Sequence, residues 1–190
     1  MNLVLIRHSK SLVNPNIPIP TWALSDEGVA LAKKLSGIEQ IKTLDVVYSS
    51  LQPKALETAI LATKDTGIPI KTDDRLTETS SFTNKFVSPE ELEENSRKYY
   101  LDNQLSFYDG ETSQEALNRF TEAIEDVVKA ENDKKNVGIV SHGNVLTLFS
   151  AQYAGMNAHE LHEKMAYPDI AILNWDTKQF TSSFGDILIS

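Results

Sequence analysis

The sequence predicts an α/β protein, a three-layer α/β/α sandwich with a mostly parallel central sheet and an antiparallel edge strand. Short apolar runs of strand length alternate with longer segments in which apolar residues recur at helical spacing. The chain closes with two strand-like runs, 171–175 and 179–184, joined by a tight turn at residues 176–178. Alternating strands and helices favour a parallel sheet, and the closing hairpin supplies an antiparallel strand.

Four further strands are predicted upstream of this hairpin. The first is the apolar run at residues 3–6, and the runs at 44–49 and 137–141 have the same character. Residues 68–71 form a shorter run that contains Pro69, which lacks a backbone N–H group. We therefore expect this last run to lie at an edge of the sheet.

Helix starts are marked by capping residues and by prolines that are tolerated in the first turn. Ser25 precedes an acidic first turn, and Ser88 stands directly before a proline. Pro53 lies near the start of another helix, and Thr112 opens a long amphipathic helix that runs to about residue 130. The 190 residues suit a single domain, 1–190, with an insert at about 79–109 that we expect to cover the substrate.

Composition and charge exclude several classes of function. The formal net charge is −9, which disfavours nucleic acids and anionic membranes as partners. The absence of cysteine excludes disulfides, thiolate metal sites and cysteine nucleophiles. No run approaches the length of a membrane span, and the N-terminus lacks the pattern of a signal peptide. We therefore expect a cytoplasmic protein with no membrane partner.

Two of the predicted strands end in a histidine. Arg7 and His8 follow the first strand, and His142 follows Ser141 at the end of the strand at 137–141. Parallel strands share their carboxyl edge, so both imidazoles are expected to meet in one crevice, where open α/β sheets bind ligands. The helix that begins after His142 adds free N–H groups, and Arg7 adds a fork of donors that matches phosphate oxygens. This combination favours phosphate chemistry.

The segment after the first strand also carries a recognisable motif. Residues 7–14, Arg-His-Ser-Lys-Ser-Leu-Val-Asn, resemble the signature Arg-His-Gly-x-Thr-x-x-Asn of the histidine phosphatase superfamily, the phosphoglycerate-mutase-like proteins. Asn14 matches that signature, whereas Ser9 replaces the glycine and Ser11 replaces the threonine. Later blocks resemble the family in the right order. They are residues 45–59, 76–78, 110–112 and 140–143.

This resemblance implies four catalytic residues: Arg7, His8, Glu78 and His142. His8 is expected to attack phosphorus and carry a transient phosphohistidine. Glu78 is expected to protonate the leaving oxygen and then accept a proton from the attacking water, although Glu91 and Glu111 are competing candidates. The resemblance implies no cofactor and no metal. The residues expected to bind the phosphate are Arg7, Ser9, Asn14, Lys54, His142 and Gly143.

Two departures from the family pattern bear on the phosphate site. Lys54 stands where the family has an arginine, so the charge is kept but the bidentate fork is lost. Lys54 has an alternative interpretation as a solvent-facing helix lysine. Ser9 adds a hydroxyl group that either narrows the pocket or donates a hydrogen bond to phosphate.

Three other features have two interpretations each. His159 and His162 could bind a metal ion together, or they could be an ordinary pair on the protein surface. The surface pair is favoured because no third metal ligand is evident. Residues 97–100 form either a wall of the substrate site or an exposed helix face. Trp22 is expected to be a packing residue near the mouth of the site.

These observations together predict a metal-independent phosphomonoester phosphatase that acts through phosphohistidine on a small phosphorylated metabolite. One alternative is a phosphoglycerate mutase, which must keep the phosphohistidine from water and return the phosphoryl group to a sugar acid. Another alternative is a weakened homologue that binds a phosphorylated ligand without turning it over. The particular substrate and the oligomeric state do not follow from the sequence.

Overall fold

A computed structural model describes residues 1–189 of the chain. Its strands are β1 (Asn2–Arg7), β2 (Val46–Ser49), β3 (Ile70–Thr72), β4 (Asn136–Ser141), β5 (Asp169–Asn174) and β6 (Gln179–Ser182). Its α-helices are α1 (Asp26–Lys34), α2 (Glu39–Lys42), α3 (Pro53–Ala62), α4 (Pro89–Leu101), α5 (Ser113–Ala130), α6 (Gly143–Ala154) and α7 (Ala158–Lys164). Short 3-10 turns lie at Ile19–Thr21, Leu35–Gly37, Asp74–Leu76 and Ser80–Phe82.

The six strands form one sheet in the order β3-β2-β4-β1-β5-β6. β1 pairs in parallel with β4, and β2 pairs in parallel with both β3 and β4. β5 runs antiparallel to β1, and β6 runs antiparallel to β5. The predicted mostly parallel sheet with an antiparallel edge is therefore confirmed.

Side chains that alternate along β1 enter two different cores. Leu3 and Leu5 join a core on one face of the sheet that includes Phe120 of α5 and Phe149 of α6. Val4 and Ile6 join a second core with alanine side chains of α3. Because successive strand residues point to opposite faces, these two cores place helices on both sides of the sheet. The predicted three-layer sandwich is confirmed.

Three of the predicted helix caps are present. The Ser25 hydroxyl accepts a hydrogen bond from the Gly28 amide at 3.0 Å, and Ser88 caps α4 in the same way. Thr112 and Glu115 form a reciprocal capping box at the start of α5, which ends at Ala130 as the sequence predicts. The four-residue helix α2 was not predicted, because so short a segment carries no helical period.

The insert at residues 79–109 contains one 3-10 turn and helix α4, and it packs on the core through aromatic rings. Tyr99 of α4 is fully buried, and its ring lies 5.0 Å from that of Phe82. The Tyr99 hydroxyl lies 2.7 Å from the Thr79 hydroxyl and donates to the Glu111 carbonyl at 3.1 Å. These contacts join α4 to the first residues of the insert and to Glu111, just beyond its end.

Candidate active site

Parallel pairing of β1 with β4 brings the two strand-end histidines together. Arg7 lies opposite Ser141 in the register, and the His8 amide donates to the Ser141 carbonyl at 2.9 Å. The centroids of the His8 and His142 rings are 5.0 Å apart. Neighbouring strand ends therefore form one site, as the sequence predicts.

The His8 ring is buried and has a defined tautomer. Its Nδ1 lies 2.7 Å from the Ser9 carbonyl oxygen, which can only accept, so Nδ1 carries the hydrogen. The lone pair is consequently on Nε2. Burial, followed by the charge of Lys54, holds the pKa of His8 well below its usual value, although the bond to Ser9 opposes this shift. His8 is therefore a neutral imidazole with a free nucleophilic nitrogen.

The His142 ring is completely buried beside His8. Its Nε2 lies 2.9 Å from the hydroxyl oxygen of Ser50, which follows β2. Its Nδ1 has no hydrogen-bond partner among residues 1–189. Burial and the neighbouring His8 hold the pKa of His142 well below its usual value. This ring can gain a favourable interaction when an anion enters the site.

Arg7 is held rigidly at the end of β1. Its Nη1 donates to the Met165 carbonyl at 3.1 Å, and its guanidinium carbon lies 3.5 Å from the centroid of the Tyr167 ring. Its Nε is buried and has no partner within the described part of the chain. A Cβ atom at Gly143 would lie 2.9 Å from Arg7 Nη2, so glycine permits this close approach. The Arg7 fork is thus positioned in advance.

Lys54 lies in the first turn of α3 and lines the same cavity as Arg7 and His8. Only 5% of the residue is exposed, so the alternative of a solvent-facing lysine is wrong. Burial lowers the pKa of the Lys54 amine, while the charge of Glu78 opposes this shift. Its ammonium group has no hydrogen-bond or ion-pair partner among the side chains that the structure describes. Lys54 thus places a cation in the same cavity as His8.

Glu78 is the acid that the fold brings into the cavity. Its Oε2 accepts from the backbone amide and the side-chain amide of Asn144, at 3.0 and 3.1 Å. Its Oε1 accepts from the amides of Thr79 and Val145, at 2.9 and 3.2 Å. Four N–H donors therefore fix the carboxyl group of Glu78 at the N-terminus of α6.

The two competing acids have structural partners instead. Glu91 accepts a hydrogen bond from the Tyr108 hydroxyl, and Glu111 forms an ion pair with Arg119. Arg119 also donates to the carbonyl groups of Arg75 and Thr77. This contact fixes the backbone immediately before Glu78.

Ser9 and Asn14 are not placed as the sequence predicts. The Ser9 hydroxyl donates to the Gly28 carbonyl at 2.8 Å, and the Ser9 amide donates to Thr58 at 3.0 Å. Ser9 is completely buried, so it neither narrows the cavity nor offers it a donor. The Asn14 side chain accepts from the Asn16 amide at 3.0 Å and does not line the cavity. A local turn captures this amide because asparagine readily bonds to backbone two residues on.

Three residues that the sequence interpretation did not assign to the site lie in it. Asn144 binds Glu78 and accepts from the Tyr100 hydroxyl at 2.5 Å. His162 and Tyr167 line the cavity, with His162 Nδ1 3.0 Å from the Tyr100 hydroxyl. Burial, followed by the charge of Arg7, lowers the pKa of His162 to about 3. The expectation that His162 belongs to a surface pair is therefore wrong.

Among residues 97–100, Arg97 and Lys98 are exposed on α4. Tyr100 does not line the cavity itself, but its hydroxyl group contacts Asn144 and His162, which do. Trp22 is buried, as expected of a packing residue, and it also lines the cavity. Of the three unassigned residues, only Asn144 could have been assigned to the site from the sequence, because it follows His142-Gly143 at the predicted helix start.

A cavity of about 550 Å³ lies at the carboxyl edge of β1 and β4, and its lining includes His8 and Gly143 but not His142. Its described lining contains four cationic side chains, those of Arg7, Lys10, Lys54 and Lys85, and one carboxylate, that of Glu78. The whole chain has a net charge of −9, so positive charge is concentrated here. Such a cavity favours an anionic ligand.

Two other properties concern metals and membranes. Within residues 1–189, no three or more histidine, aspartate and glutamate side chains are grouped so that they could hold a metal ion. No helix in this part of the chain is long and apolar enough to cross a membrane.

Comparison with protein families gives one match over nearly the whole chain. The model of the histidine phosphatase superfamily (branch 1) matches residues 3–184. No curated protein sequence shows significant similarity to the chain.

Several solved structures share the fold. The mycobacterial glucosyl-3-phosphoglycerate phosphatase in complex with inorganic phosphate is 17% identical, with a TM-score of 0.77 over 99% of this chain and 98% of that one. YhfR of Bacillus stearothermophilus is 23% identical, with a TM-score of 0.76 over 99% and 98% of the two chains. The α-ribazole phosphatase of Shigella flexneri is 23% identical, with a TM-score of 0.73 over 98% and 96%. At these identities the likeness shows the fold alone.

Proposed function

We propose that this chain, which belongs to the histidine phosphatase superfamily (branch 1), hydrolyses a small phosphorylated metabolite through a phosphohistidine on His8. One observation carries the proposal. His8 is a neutral imidazole with its lone pair on Nε2, in a cavity that also holds the Arg7 and Lys54 cations and the Glu78 carboxyl group.

In the first half of the proposed reaction, His8 Nε2 attacks the phosphorus atom of a phosphomonoester. The new N–P bond forms while the bond between phosphorus and the alcohol oxygen breaks. Glu78, in its protonated form, donates its proton to that oxygen, and the alcohol leaves. The bond from His8 Nδ1 to the Ser9 carbonyl supports the positive charge that develops on the ring.

In the second half, a water molecule attacks phosphorus and the N–P bond breaks, which returns the electron pair to His8 Nε2. The ionised Glu78 accepts a proton from this water, so the starting protonation states are restored when phosphate leaves. The contacts of Glu78 with Asn144 hold the carboxyl group in one orientation through both halves.

The charge on the transferred phosphoryl group is neutralised by side chains in this proposal. Arg7 offers its unpaired Nε, Lys54 offers its ammonium group, and His142 offers its unpaired Nδ1. The Gly143 amide at the start of α6 is a further candidate donor. We therefore propose that the reaction needs no metal ion and that it takes place in the cytoplasm, the compartment that a cysteine-free sequence suits.

The alternative of a weakened homologue has less support than catalysis. That alternative was suggested by two departures from the family pattern, Lys54 in place of an arginine and Ser9 in place of a glycine. Lys54 is buried at the cavity, and the Ser9 side chain is directed to Gly28. The cationic groups required for turnover therefore surround the same space as His8.

Steady-state hydrolysis of p-nitrophenyl phosphate after exhaustive dialysis against EDTA tests the proposal. We expect turnover by the wild-type protein and a loss of at least about 1,000-fold in His8→Ala. Comparable rates in the two proteins would contradict it. A parallel assay with 3-phosphoglycerate distinguishes the mutase alternative, since a mutase forms the isomeric monophosphate and a phosphatase releases free phosphate.

A further inference from the structure

The lining of the cavity that comes from outside the strand ends differs in character from the lining that contains Arg7, His8, Lys54 and Glu78. The former is mainly apolar and comes from the loop after β1 and from the insert at residues 79–109. Six of these lining side chains carry the argument: Ile19, Trp22, Phe82, Phe86, Val87 and Leu92. A ligand therefore meets Arg7, Lys54 and Glu78 near the strand ends, and a mainly apolar wall on the loop and the insert, where Lys10 and Lys85 are the cations.

Trp22 and Phe86 form an aromatic wall in this apolar part. Their ring centroids are 5.8 Å apart, and the indole N–H of Trp22 is already bonded to the Asn14 carbonyl at 3.0 Å. Phe86 is 45% exposed and Leu92 is 41% exposed, so both present apolar surface to the entrance. Large apolar side chains with this exposure gain contact when an apolar group covers them.

The polar side chains from the loop and the insert that line the cavity are those of Lys10, Ser11, Thr83, Lys85 and Ser96. The Lys85 ammonium lies 4.7 Å from the centroid of the Tyr108 ring. The Thr83 hydroxyl donates to the Thr79 carbonyl, and the Lys10 ammonium is paired with Glu27. The Asn144 side chain is committed at both ends, to Glu78 and to Tyr100. A substrate rich in hydroxyl groups would therefore place several of them against carbon without a partner, which is costly.

We propose that the alcohol portion of the substrate is an apolar group about the size of an aromatic ring, such as an arylalkyl or branched alkyl group. This inference rests on the proposed phosphatase function, because the phosphate end must lie at His8. The phosphoryl group lies near the strand ends, and the apolar group lies against Trp22, Phe86 and Leu92. Specificity is then set by the loop after β1 and by the insert.

Two esters with matched leaving groups test the inference. Both 2-phenylethyl phosphate and glycerol 1-phosphate are primary alkyl esters, so a difference in kcat/KM reports on contacts with the alcohol portion. We expect a preference of at least about tenfold for the phenylethyl ester, since even small apolar contacts in a pocket give about 10- to 200-fold. The Phe86→Ala and Leu92→Ala variants are each expected to lower kcat/KM for the phenylethyl ester more than kcat/KM for the glycerol ester, so that the preference falls severalfold.

Leu101→Ala is the matched control, because Leu101 ends α4 with 76% exposure and does not line the cavity. It is expected to leave the preference intact. Equal or better hydrolysis of glycerol 1-phosphate would overturn the inference and leave the phosphatase function standing, as would a preference that neither Phe86→Ala nor Leu92→Ala reduces. Failure to hydrolyse either ester or p-nitrophenyl phosphate would instead overturn the proposed function itself.

Discussion

Asn144 binds the carboxylate of Glu78 twice, through its backbone amide at 3.0 Å and through its side-chain amide at 3.1 Å. The side-chain amide is oriented in turn, because its oxygen accepts from the Tyr100 hydroxyl. The candidate acid is therefore positioned both by the start of α6 and by α4 in the insert. A residue of the insert that never touches His8 can thus influence the chemistry.

Tyr100→Phe is predicted to lower kcat about fivefold for esters with poor leaving groups, because Asn144 loses the bond that orients it. The leaving group of p-nitrophenyl phosphate needs little protonation. The rate of the first half-reaction with this ester should therefore fall less than it does with esters of poor leaving groups. Steady-state kinetics and the phosphorylation burst check this. Tyr108→Phe is the control, since it removes a hydroxyl of the same insert that binds Glu91 and Asn95 outside the cavity. Equal effects of both variants would contradict the role of Tyr100.

Glu78→Gln is predicted to lower kcat for alkyl phosphates by about 100- to 10,000-fold, the range of general acid–base catalysis. With p-nitrophenyl phosphate, the first step should persist while the second step slows, so phosphoenzyme should accumulate. Rapid-quench measurements distinguish the two steps. The control is Glu91→Gln, which alters an acid of the insert outside the cavity. Similar losses in both steps, with no accumulation, would remove Glu78 from the acid–base role.

Lys54→Met is predicted to lower kcat/KM about 100-fold, because the cation next to the phosphoryl group is lost. Lys54→Arg is predicted to raise kcat/KM above the wild-type value, since a guanidinium group can bind two phosphate oxygens at once. Lys64→Met, an exposed lysine just beyond the same helix, is the control. Wild-type kinetics in both Lys54 variants would show that Lys54 does not contact the substrate.

The free energy of unfolding is predicted to decrease as the pH is lowered below about 6.5. Burial lowers the pKa of His8, His142 and His162 in the folded chain, so only the unfolded chain gains protons there as the pH passes the ordinary value of 6.5. Each histidine then costs about 1.4 kcal/mol of unfolding free energy per pH unit, down to its folded pKa. For His162 this window runs from 6.5 to about 3.

Urea unfolding between pH 7 and pH 5, in a buffer without phosphate, checks this prediction. Carboxylates contribute mainly at lower pH, so this range reports on the histidines. His162→Gln should reduce the slope of unfolding free energy against pH by an amount that approaches about 1.4 kcal/mol per pH unit toward pH 5, whatever its effect on stability at pH 7. An unchanged slope would show that His162 is protonated in the folded chain.

The sequence was sufficient to predict the fold and the meeting of the two strand-end histidines. The spacing of apolar residues located the strands and helices. Because His8 and His142 follow parallel strands of one sheet, they were expected to lie close together. Regular elements determine such positions through backbone register alone. The observed pairing of Arg7 with Ser141 in that register is the reason why this part of the prediction was correct.

The rest of the site depends on tertiary contacts that the spacing of apolar residues does not predict. Asn14 lies in a proline-rich loop, where bonding to its own backbone prevails over binding in the cavity. His162 enters the site because α7 packs against α6, and its sequence context resembles that of a surface helix. Ser9 replaces a glycine without affecting the cavity, because its hydroxyl finds the Gly28 carbonyl on α1.

Trapping of a phosphoenzyme tests the central claim most directly. The protein is mixed with a ³²P-labelled phosphomonoester, quenched in alkali within milliseconds and digested, and the labelled peptide is mapped by mass spectrometry. We predict a base-stable, acid-labile phosphoryl group on His8 that decays at a rate consistent with turnover. Hydrolysis without any labelled peptide, or with label on another residue, would contradict the account.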